Sequence, residues 1–319
     1  MQELNRDLQQ KFKNTAEAMR ARLEQKPSST VLKKMIQEKA IGSFNKCHKL
    51  SPQNLSDIAE KGGIIGVDGS TNSAGGPFPY MITLQQAMAK ACDKSQNDII
   101  MTDALSPLIM ENPVSEEEYR KLVKGNLAVL EVEVALEALE QSSPMVILLD
   151  GSLVRFKIEA SSSWEKLKTM ALDQSIILAG IVEGISTGII SDCLKNLLPE
   201  KFSPASDWEV LFGLLEVGEI LEVAPGLFKE GFRTCFMRAS VDPKPIGIDL
   251  LEEQQGYLKE VVDLVYTLTP SDGRGIPLWL DIIDENVRIS DEVMKGLLNK
   301  YLGEEYVEFL MPKREKRQI

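Results

Sequence analysis

Two apolar runs of this chain end in the same tripeptide, Asp-Gly-Ser, and this repeated ending limits the possible folds more than any other feature. One run covers residues 64–67 and ends at Asp68, and the other covers residues 145–149 and ends at Asp150. The second run is almost continuously apolar, which is typical of a strand buried on both faces of a sheet. The chain is therefore expected to form a layered α/β structure with an aspartate at the end of each of two inner strands.

The segments around these two runs predict a mixed sheet. Short runs rich in β-branched and apolar residues, bounded by turn-forming residues, predict three successive strands within residues 63–105. Residues 115–141 predict a long helix with Ser115 as its cap and three glutamates in its first turn. Helices and strands alternate after it, including one helix over residues 206–221 and a strand pair within residues 231–250. Three strands followed by this alternation favour a mixed sheet with helices on its faces.

The first 60 residues predict helices only. Apolar side chains recur there at helical spacing, at Leu4, Leu8, Phe12, Ala16, Met19 and Leu23. We expect residues 1–60 to form a helical arm that packs locally or against a second subunit. Residues 61–305 then form the α/β domain, and residues 306–319 form a basic tail.

Composition excludes several classes of protein. The single histidine, His48, removes Ser-His-Asp triads and multi-histidine zinc sites. The four cysteines are scattered and form no Cys-x-x-Cys pair, which favours a reducing cytoplasm. No apolar run reaches the roughly 18 residues that a membrane span needs. The net charge of −12 argues against nonspecific binding of polyanions over the whole surface, but it leaves room for a local basic groove.

Several segments of the chain can be compared with the motifs of nucleotide-binding and phosphate-transferring enzymes. The strand "VILLDG" is similar to the Walker B strand of ATPases, but the chain contains no G-x-x-x-x-G-K-[ST] loop. The segment "GVDGST" is similar to the first phosphate loop of sugar kinases and actin-like ATPases, although "SDGRGIP" is a poor match for the further loops those proteins need. A haloacid-dehalogenase-type phosphatase would need an aspartate at Gly66. An ATP-dependent phosphotransferase of the actin and sugar-kinase class remains an alternative.

The remaining chemistry is carried by carboxylates. Asp68 and Asp150 end inner strands, Glu131 and Glu133 lie on the helix before the second strand, and Asp284 lies in "PLWLDIIDEN". Inward-facing carboxylates need a partner, and hard divalent cations such as Mg²⁺ or Mn²⁺ prefer such all-oxygen sites. Two interpretations stay open at this point: a carboxylate metal site, and aspartates that serve only as turn residues at strand ends.

The order of the segments resembles the NurA family of DNA-end-processing nucleases. In family order the chain has "GVDGS", an acidic helix, "LLDGSL", "ILAGIVEG", "SDWEVLFGLLEVGE", "RTCFMRA…IGIDL" and "IPLWLDIIDEN". The likeness covers roughly residues 60–300, and the paired Asp-Gly-Ser strands are its most specific part.

This resemblance implies an RNase H-like mixed sheet flanked by helices, so residues 61–305 are expected to be a NurA nuclease domain. It also implies a homodimer, DNA as substrate, one or two Mn²⁺ or Mg²⁺ ions, and a HerA-like hexameric ATPase and translocase as partner. The implied activity is a 5′–3′ exonuclease, with single-strand endonuclease activity as a further option. Its implied role is DNA end resection in double-strand break repair. A non-catalytic scaffold subunit of a DNA-translocating motor is the second alternative.

Family positions carry over onto individual residues of this sequence. The first aspartate falls on Asp68, the second on Asp150 and the late acidic position on Asp284, all expected as catalytic metal ligands. The helical glutamate falls on Glu133, with Glu131 as the fallback. Asp249 matches a further acidic position. The chain departs from many relatives in having Glu183 and Gly184 where those carry Lys-Ser, and in lacking a late histidine.

Basic residues that could hold DNA are local. Arg155 and Lys157 follow the second Asp-Gly-Ser, and if the strand continues, its alternation places both on one face near Asp150. We expect this pair to contact the phosphate backbone. The cations of the tail are expected to be solvated surface.

Overall fold

The computed structural model describes residues 5–93, 97–203 and 205–310. The strands in these ranges are β1 (Gly42–Lys46), β2 (Ile64–Gly75), β3 (Met81–Ala91), β4 (Ile99–Leu105), β5 (Val146–Asp150), β6 (Ile177–Val182), β7 (Glu219–Val223), β8 (Phe232–Arg238) and β9 (Ile246–Leu251). The helices are α1 (Arg6–Leu23), α2 (Ser29–Glu38), α3 (Pro52–Glu60), α4 (Glu116–Gln141), α5 (Leu153–Glu159), α6 (Ser161–Asp173), α7 (Ile189–Leu194), α8 (Asp207–Leu211), α9 (Leu258–Leu268), α10 (Leu278–Val287), α11 (Asp291–Tyr301) and α12 (Glu304–Leu310).

The strands form one sheet in the order β1-β7-β8-β9-β6-β5-β2-β3-β4. Strands β2, β3 and β4 form the predicted antiparallel meander, and β5 and β6 run parallel to β2. Strands β9, β8, β7 and β1 extend the sheet in antiparallel fashion beyond β6. The predicted RNase H-like mixed sheet flanked by helices is confirmed.

Helices cover both faces of the sheet, as the apolar run of β5 predicts. Ile147 and Leu149 face α4, α5 and α6, whereas Val146 and Leu148 face α9 and α10. The long helix α4 begins as predicted, because the Ser115 side chain accepts from the Glu118 backbone N–H while the Glu118 side chain accepts in return. The ends of β2 and β5 therefore lie between two helical layers.

Two predicted elements differ from the structure. The first 60 residues contain β1, which pairs with β7 at one edge of the sheet, in addition to helices. Residues 206–221 do not form one helix, since α8 ends at Leu211 and β7 begins at Glu219. Gly213 and Gly218 take left-handed conformations, with φ of 68° and 73°, which break the helix before the strand.

The two ends of the chain differ in how much of them is described. Helix α1 buries none of its residues, whereas α2 buries Leu32 and Ile36. Residues 306–310, predicted as part of the basic tail, lie in α12. The tail cations Lys313, Arg314, Lys316 and Arg317 lie outside the described residues. None of the helices in the described ranges has the length and hydropathy to cross a membrane.

Candidate active site

Asp68 and Asp150 lie side by side, one step beyond the last paired positions of two parallel strands. Val67 of β2 pairs with Leu149 of β5, and the aspartates follow these two residues. Neighbouring strands are about 4.8 Å apart, so the two backbones bring the aspartates close together. Because Val67 and Leu149 face α4 and α5, both aspartates point to the opposite face, which α10 covers.

Asp68 is a buried carboxyl with an uncompensated charge. Only 6% of the residue is exposed, and its Oδ1 accepts a hydrogen bond of 2.7 Å from the Gly69 backbone N–H. Burial raises the pKa of Asp68 from 3.8 to about 6. The Gly69 hydrogen bond opposes this rise, and the negative charge of Asp284 adds to it. The folded, metal-free protein therefore holds Asp68 partly protonated near neutral pH.

Asp150 is perturbed in the same direction. Burial, followed by the charges of Asp68 and Glu183, raises the pKa of Asp150 from 3.8 to about 7. The nearest cations are engaged elsewhere, since Arg155 pairs with Glu131 and Arg274 pairs with Glu183 and Asp281. In the described part of the chain, neither strand-end aspartate has an ion pair of its own. Two neighbouring carboxyls with raised pKa values are typical of a functional site.

The glutamate of α4 that lies against the first Asp-Gly-Ser is Glu131, whereas the predicted Glu133 bonds elsewhere. Glu131 is 1% exposed, and its Cγ lies 2.9 Å from the point that a Cβ on Gly69 would occupy. Glu133 lies about 200° further around α4. It accepts a hydrogen bond of 2.5 Å from the Ser163 hydroxyl of α6. The fallback, Glu131, is thus the glutamate that reaches the first Asp-Gly-Ser.

Arg155 and Lys157 do not lie on a continuing strand, and this prediction is also corrected. The Ser152 side chain accepts from the Val154 backbone N–H and starts α5, so the two cations point in different directions. Arg155 bonds to Glu131, and its charge acts on Asp68. Lys157 lies over the Phe232 ring, 5.6 Å from its centre. Only Arg155 belongs to the acidic site.

The glycines of the two Asp-Gly-Ser tripeptides are required for different reasons. A Cβ at Gly69 would lie 2.9 Å from the Cγ of Glu131 and 2.9 Å from the Cδ1 of Leu127. Gly151 has a φ of 114°, and a Cβ there would lie 3.6 Å from the Nη1 of Arg155. Gly69 therefore makes room for Glu131, whereas Gly151 is required by its left-handed backbone, since a Cβ there would make only an ordinary contact with Arg155.

Arg274 is a charged residue of the site that the sequence did not reveal. Its Nη2 lies 2.6 Å from Asp281 and its Nη1 lies 3.1 Å from Glu183. Its positive charge lowers the pKa values of both Asp68 and Asp150. Its contact with Asp281 spans seven residues, but its contact with Glu183 spans 91, and no local pattern predicts the latter. Glu183 forms an ion pair with Arg274.

The two other predicted acidic residues differ in their surroundings. Asp284 is exposed on α10, and its charge acts on both Asp68 and Asp150. Asp249 is fully buried on β9 and pairs with Lys229 at 2.6 Å. It also accepts hydrogen bonds from Ser152 and Thr234, so its charge is already satisfied. Asp284 therefore joins the acidic site, and Asp249 supports the second Asp-Gly-Ser from behind.

The donor set suits a hard divalent cation, although it is not preassembled. Among the described residues, no three His, Cys, Asp or Glu side chains are arranged so that they could hold an ion as they stand. The reason lies in the contacts above, because Arg155 engages Glu131 and Asp284 is exposed. Asp68, Asp150, Asp284 and Glu131 offer only carboxylate oxygens, which are the ligands that Mg²⁺ and Mn²⁺ prefer. The charges of Asp68 and Asp150, which have no ion pair in the described ranges, fit such an ion.

The raised pKa values predict an unusual pH dependence of stability in EDTA. The folded protein keeps protons on Asp68 and Asp150 that the unfolded chain has lost above about pH 4. The free energy of unfolding should therefore fall as pH rises through about 6 and 7. Asp68→Asn should remove much of this loss and stabilise the protein at pH 8 by about 2–3 kcal/mol. Urea unfolding of the parent and of Asp68→Asn at pH 5 and pH 8 measures this difference in the free energy of unfolding.

Asp272→Asn, in an exposed loop, is the matched control for that measurement. It should change the free energy of unfolding equally little at both pH values. Equal stability of Asp68→Asn and the parent protein at pH 8 would contradict the electrostatic description of the site.

Comparison with known proteins gives a family and a fold. Residues 62–289 match the family model described as the NurA domain. No curated protein matches the chain. The chain is similar in structure to the NurA nuclease from Sulfolobus solfataricus, with 14% sequence identity and a TM-score of 0.61, over 96% of this chain and 99% of that one.

Two further solved structures share this fold. One is described as NurA bound to dAMP and manganese, with 11% identity and a TM-score of 0.57, covering 95% of this chain and 99% of that one. The other is described as NurA with manganese, with 10% identity and a TM-score of 0.53, covering 92% of this chain and 98% of that one. At these identities the structural likeness supports the fold, and the family model spans strands β2 to β9 and the acidic site.

Proposed function

The chain belongs to the NurA family, and from this premise we propose that it is a DNA nuclease that depends on Mn²⁺ or Mg²⁺. One observation carries the proposal. Asp68 and Asp150 end adjacent parallel strands with raised pKa values and without an ion pair in the described ranges. Charges in this state need a cation, and the solved relatives described with manganese indicate which kind.

The residues of the site divide the work of phosphodiester hydrolysis. Asp68 and Asp150 would hold the cation from the sheet, and Glu131 from α4 and Asp284 from α10 would supply further carboxylate oxygens. A divalent ion at this place supplies the Lewis-acid chemistry that activates water and stabilises the leaving oxygen. Arg155 and Arg274 place positive charge beside the acids, where they offset the repulsion between the protein and the DNA backbone. No histidine or cysteine nucleophile is needed.

The finer expectations of the family form part of the same proposal. We infer a 5′–3′ exonuclease, with single-strand endonuclease activity as an option. Its role would be DNA end resection and double-strand break repair with a HerA-like hexameric ATPase. Family membership supports these assignments. The free cysteines in the described ranges support a cytoplasmic location.

A homodimer is supported by the exposed stripe of α1. Leu8, Phe12, Met19 and Leu23 are each more than half exposed, and α1 buries no residue within one subunit. An amphipathic helix with an uncovered apolar side is typical of a contact with another chain. Light scattering of the full chain and of a chain without residues 1–25 tests this, and equal subunit numbers would contradict a role of the arm in the dimer.

The nuclease proposal is tested on DNA with labelled ends. Purified protein is incubated with end-labelled linear DNA and with closed circular DNA, each in Mn²⁺, Mg²⁺ or EDTA. We expect loss of the linear DNA with either metal and no loss in EDTA. Transfer of phosphate from ATP without loss of DNA would favour the phosphotransferase. Intact DNA in Mn²⁺, even with the hexameric motor bound, would favour the scaffold subunit.

A further inference from the structure

Arg155 and Glu131 form an ion pair directly behind the two strand-end aspartates. Glu131 is 1% exposed, so its carboxylate needs a counter-charge, and Arg155 Nη2 donates to its Oε2. The charge of Arg155 also acts on Asp68. In the protein without an ion, this guanidinium is therefore the cation that serves the glutamate of the site.

The guanidinium of Arg155 is not fully hydrogen-bonded. Its Nε is buried and has no hydrogen-bond partner in the described structure, and the nearest further acid, Glu159, lies 3.8 Å away. An unsatisfied buried donor costs free energy, so this position is less favourable than a fully bonded arginine would be. The helix α5 that carries Arg155 stays anchored by Leu153 and Phe156, which are fully buried.

There is also space beside the arginine. Arg155 lines a cleft of about 340 Å³ together with Ser152, Thr187 and Lys229. The Arg155 side chain is 34% exposed, although its Nη2 is paired with the buried Glu131. It can therefore leave Glu131 by rotating its own side chain, without moving the backbone of α5.

We propose that Arg155 is an internal competitor of the divalent cation, because it occupies Glu131 when the ion is absent and gives it up when the ion binds. This inference rests on the proposed function, since it concerns the metal of the same site. Arg155 is thus a positioning residue that sets how tightly the site takes its ion. Gly69 lets Glu131 lie against the first Asp-Gly-Ser, because a Cβ there would lie 2.9 Å from the Cγ of Glu131.

A double-mutant cycle on Mn²⁺ binding tests the proposal without DNA or activity. Isothermal titration of the full chain with Mn²⁺ gives the affinity of the parent, Arg155→Gln, Glu131→Gln and the double variant. Arg155→Gln should bind Mn²⁺ about tenfold more tightly, because breaking a charged hydrogen bond no longer opposes binding. In the Glu131→Gln background the same change should have an effect of less than about twofold.

Arg274→Gln is the matched control, because it removes an equal charge from the same acidic site without touching Glu131. Its effect on Mn²⁺ affinity should be the same with and without Glu131. Arg155→Met, which keeps the side-chain stem against Phe156, should reproduce the gain of Arg155→Gln if that variant folds poorly.

Two results would overturn the inference while leaving the nuclease proposal intact. Weaker or unchanged Mn²⁺ binding by both Arg155 variants would mean that the arginine orients Glu131 for the ion. A gain that persists in the Glu131→Gln background would mean that only the net charge matters. A parent protein that binds no Mn²⁺ would overturn this inference and the metal dependence together.

Discussion

Asp150→Asn is expected to lower Mn²⁺-dependent DNA cleavage by a thousandfold or more. The asparagine keeps the volume of the side chain but removes one anionic ligand and half of the strand-end pair. Losing about 4 kcal/mol of transition-state stabilisation, the size of effect that a catalytic ion supplies, corresponds to about a thousandfold. Asp68→Asn should have an effect of the same size. Initial rates on end-labelled linear DNA at saturating Mn²⁺ measure both.

This loss should occur in a folded protein. Because burial and mutual repulsion raise the pKa values of both aspartates, each asparagine variant should be at least as stable as the parent at pH 8 in EDTA. Asp272→Asn, in an exposed turn, should cut DNA at the parental rate. Cleavage within tenfold of the parent by either strand-end variant would remove that residue from the site.

Glu131→Gln and Glu133→Gln are expected to give opposite results, although only one residue separates the two positions. Glu131→Gln should lower cleavage by at least about a hundredfold, because it removes the carboxylate that reaches the first Asp-Gly-Ser. Glu133→Gln should stay within about threefold of the parent, because its side chain bonds to Ser163 of α6. The two variants have the same change in charge and volume, so each is the control of the other.

Reversed results for these two glutamates would show that the family position falls on Glu133 after all. They would also show that α4 turns in the active protein relative to the structure described here. Equal, large losses in both variants would indicate general damage to α4, which circular dichroism of each variant detects.

The sequence predicted the inner part of the sheet because its signals are local. The apolar run before Asp150 predicts a strand that is buried on both faces of the sheet. The run before Asp68 ends in the same tripeptide, which predicts a second inner strand. The parallel pairing of β2 with β5 then follows from the long helix between them. The placement of Asp68 and Asp150 at the ends of two inner strands could therefore be predicted from the sequence alone.

The sequence did not determine which glutamate of α4 faces the sheet. Residues 131 and 133 differ by only two positions in their sequence distance from β5, so that distance does not distinguish them. The rotation of α4 about its axis decides which one faces the sheet, and that rotation is fixed by packing against β2, β3 and α6. Arg155 was misplaced for a related reason, since Ser152 could either continue the strand or cap a helix, and it caps α5.

Two contacts between distant segments, Arg274 with Glu183 and β1 with β7, could not be predicted from the sequence. Arg274 meets Glu183 across 91 positions of the chain, and no periodicity connects them. Strand β1 is five residues long and finds its partner only at β7, so its short polar sequence carried no strand signal. Such elements are defined by the tertiary fold, because their own sequence does not specify them.

The most direct test of the account is a crystal structure of the protein grown with Mn²⁺, with diffraction measured at the manganese absorption edge. The account predicts an anomalous peak within about 2–2.5 Å of carboxylate oxygens of both Asp68 and Asp150. Glu131 should contribute to the same site, with Arg155 turned away from it. An anomalous map without a peak between the two strand ends, at a Mn²⁺ concentration that supports cleavage, would contradict the central claim.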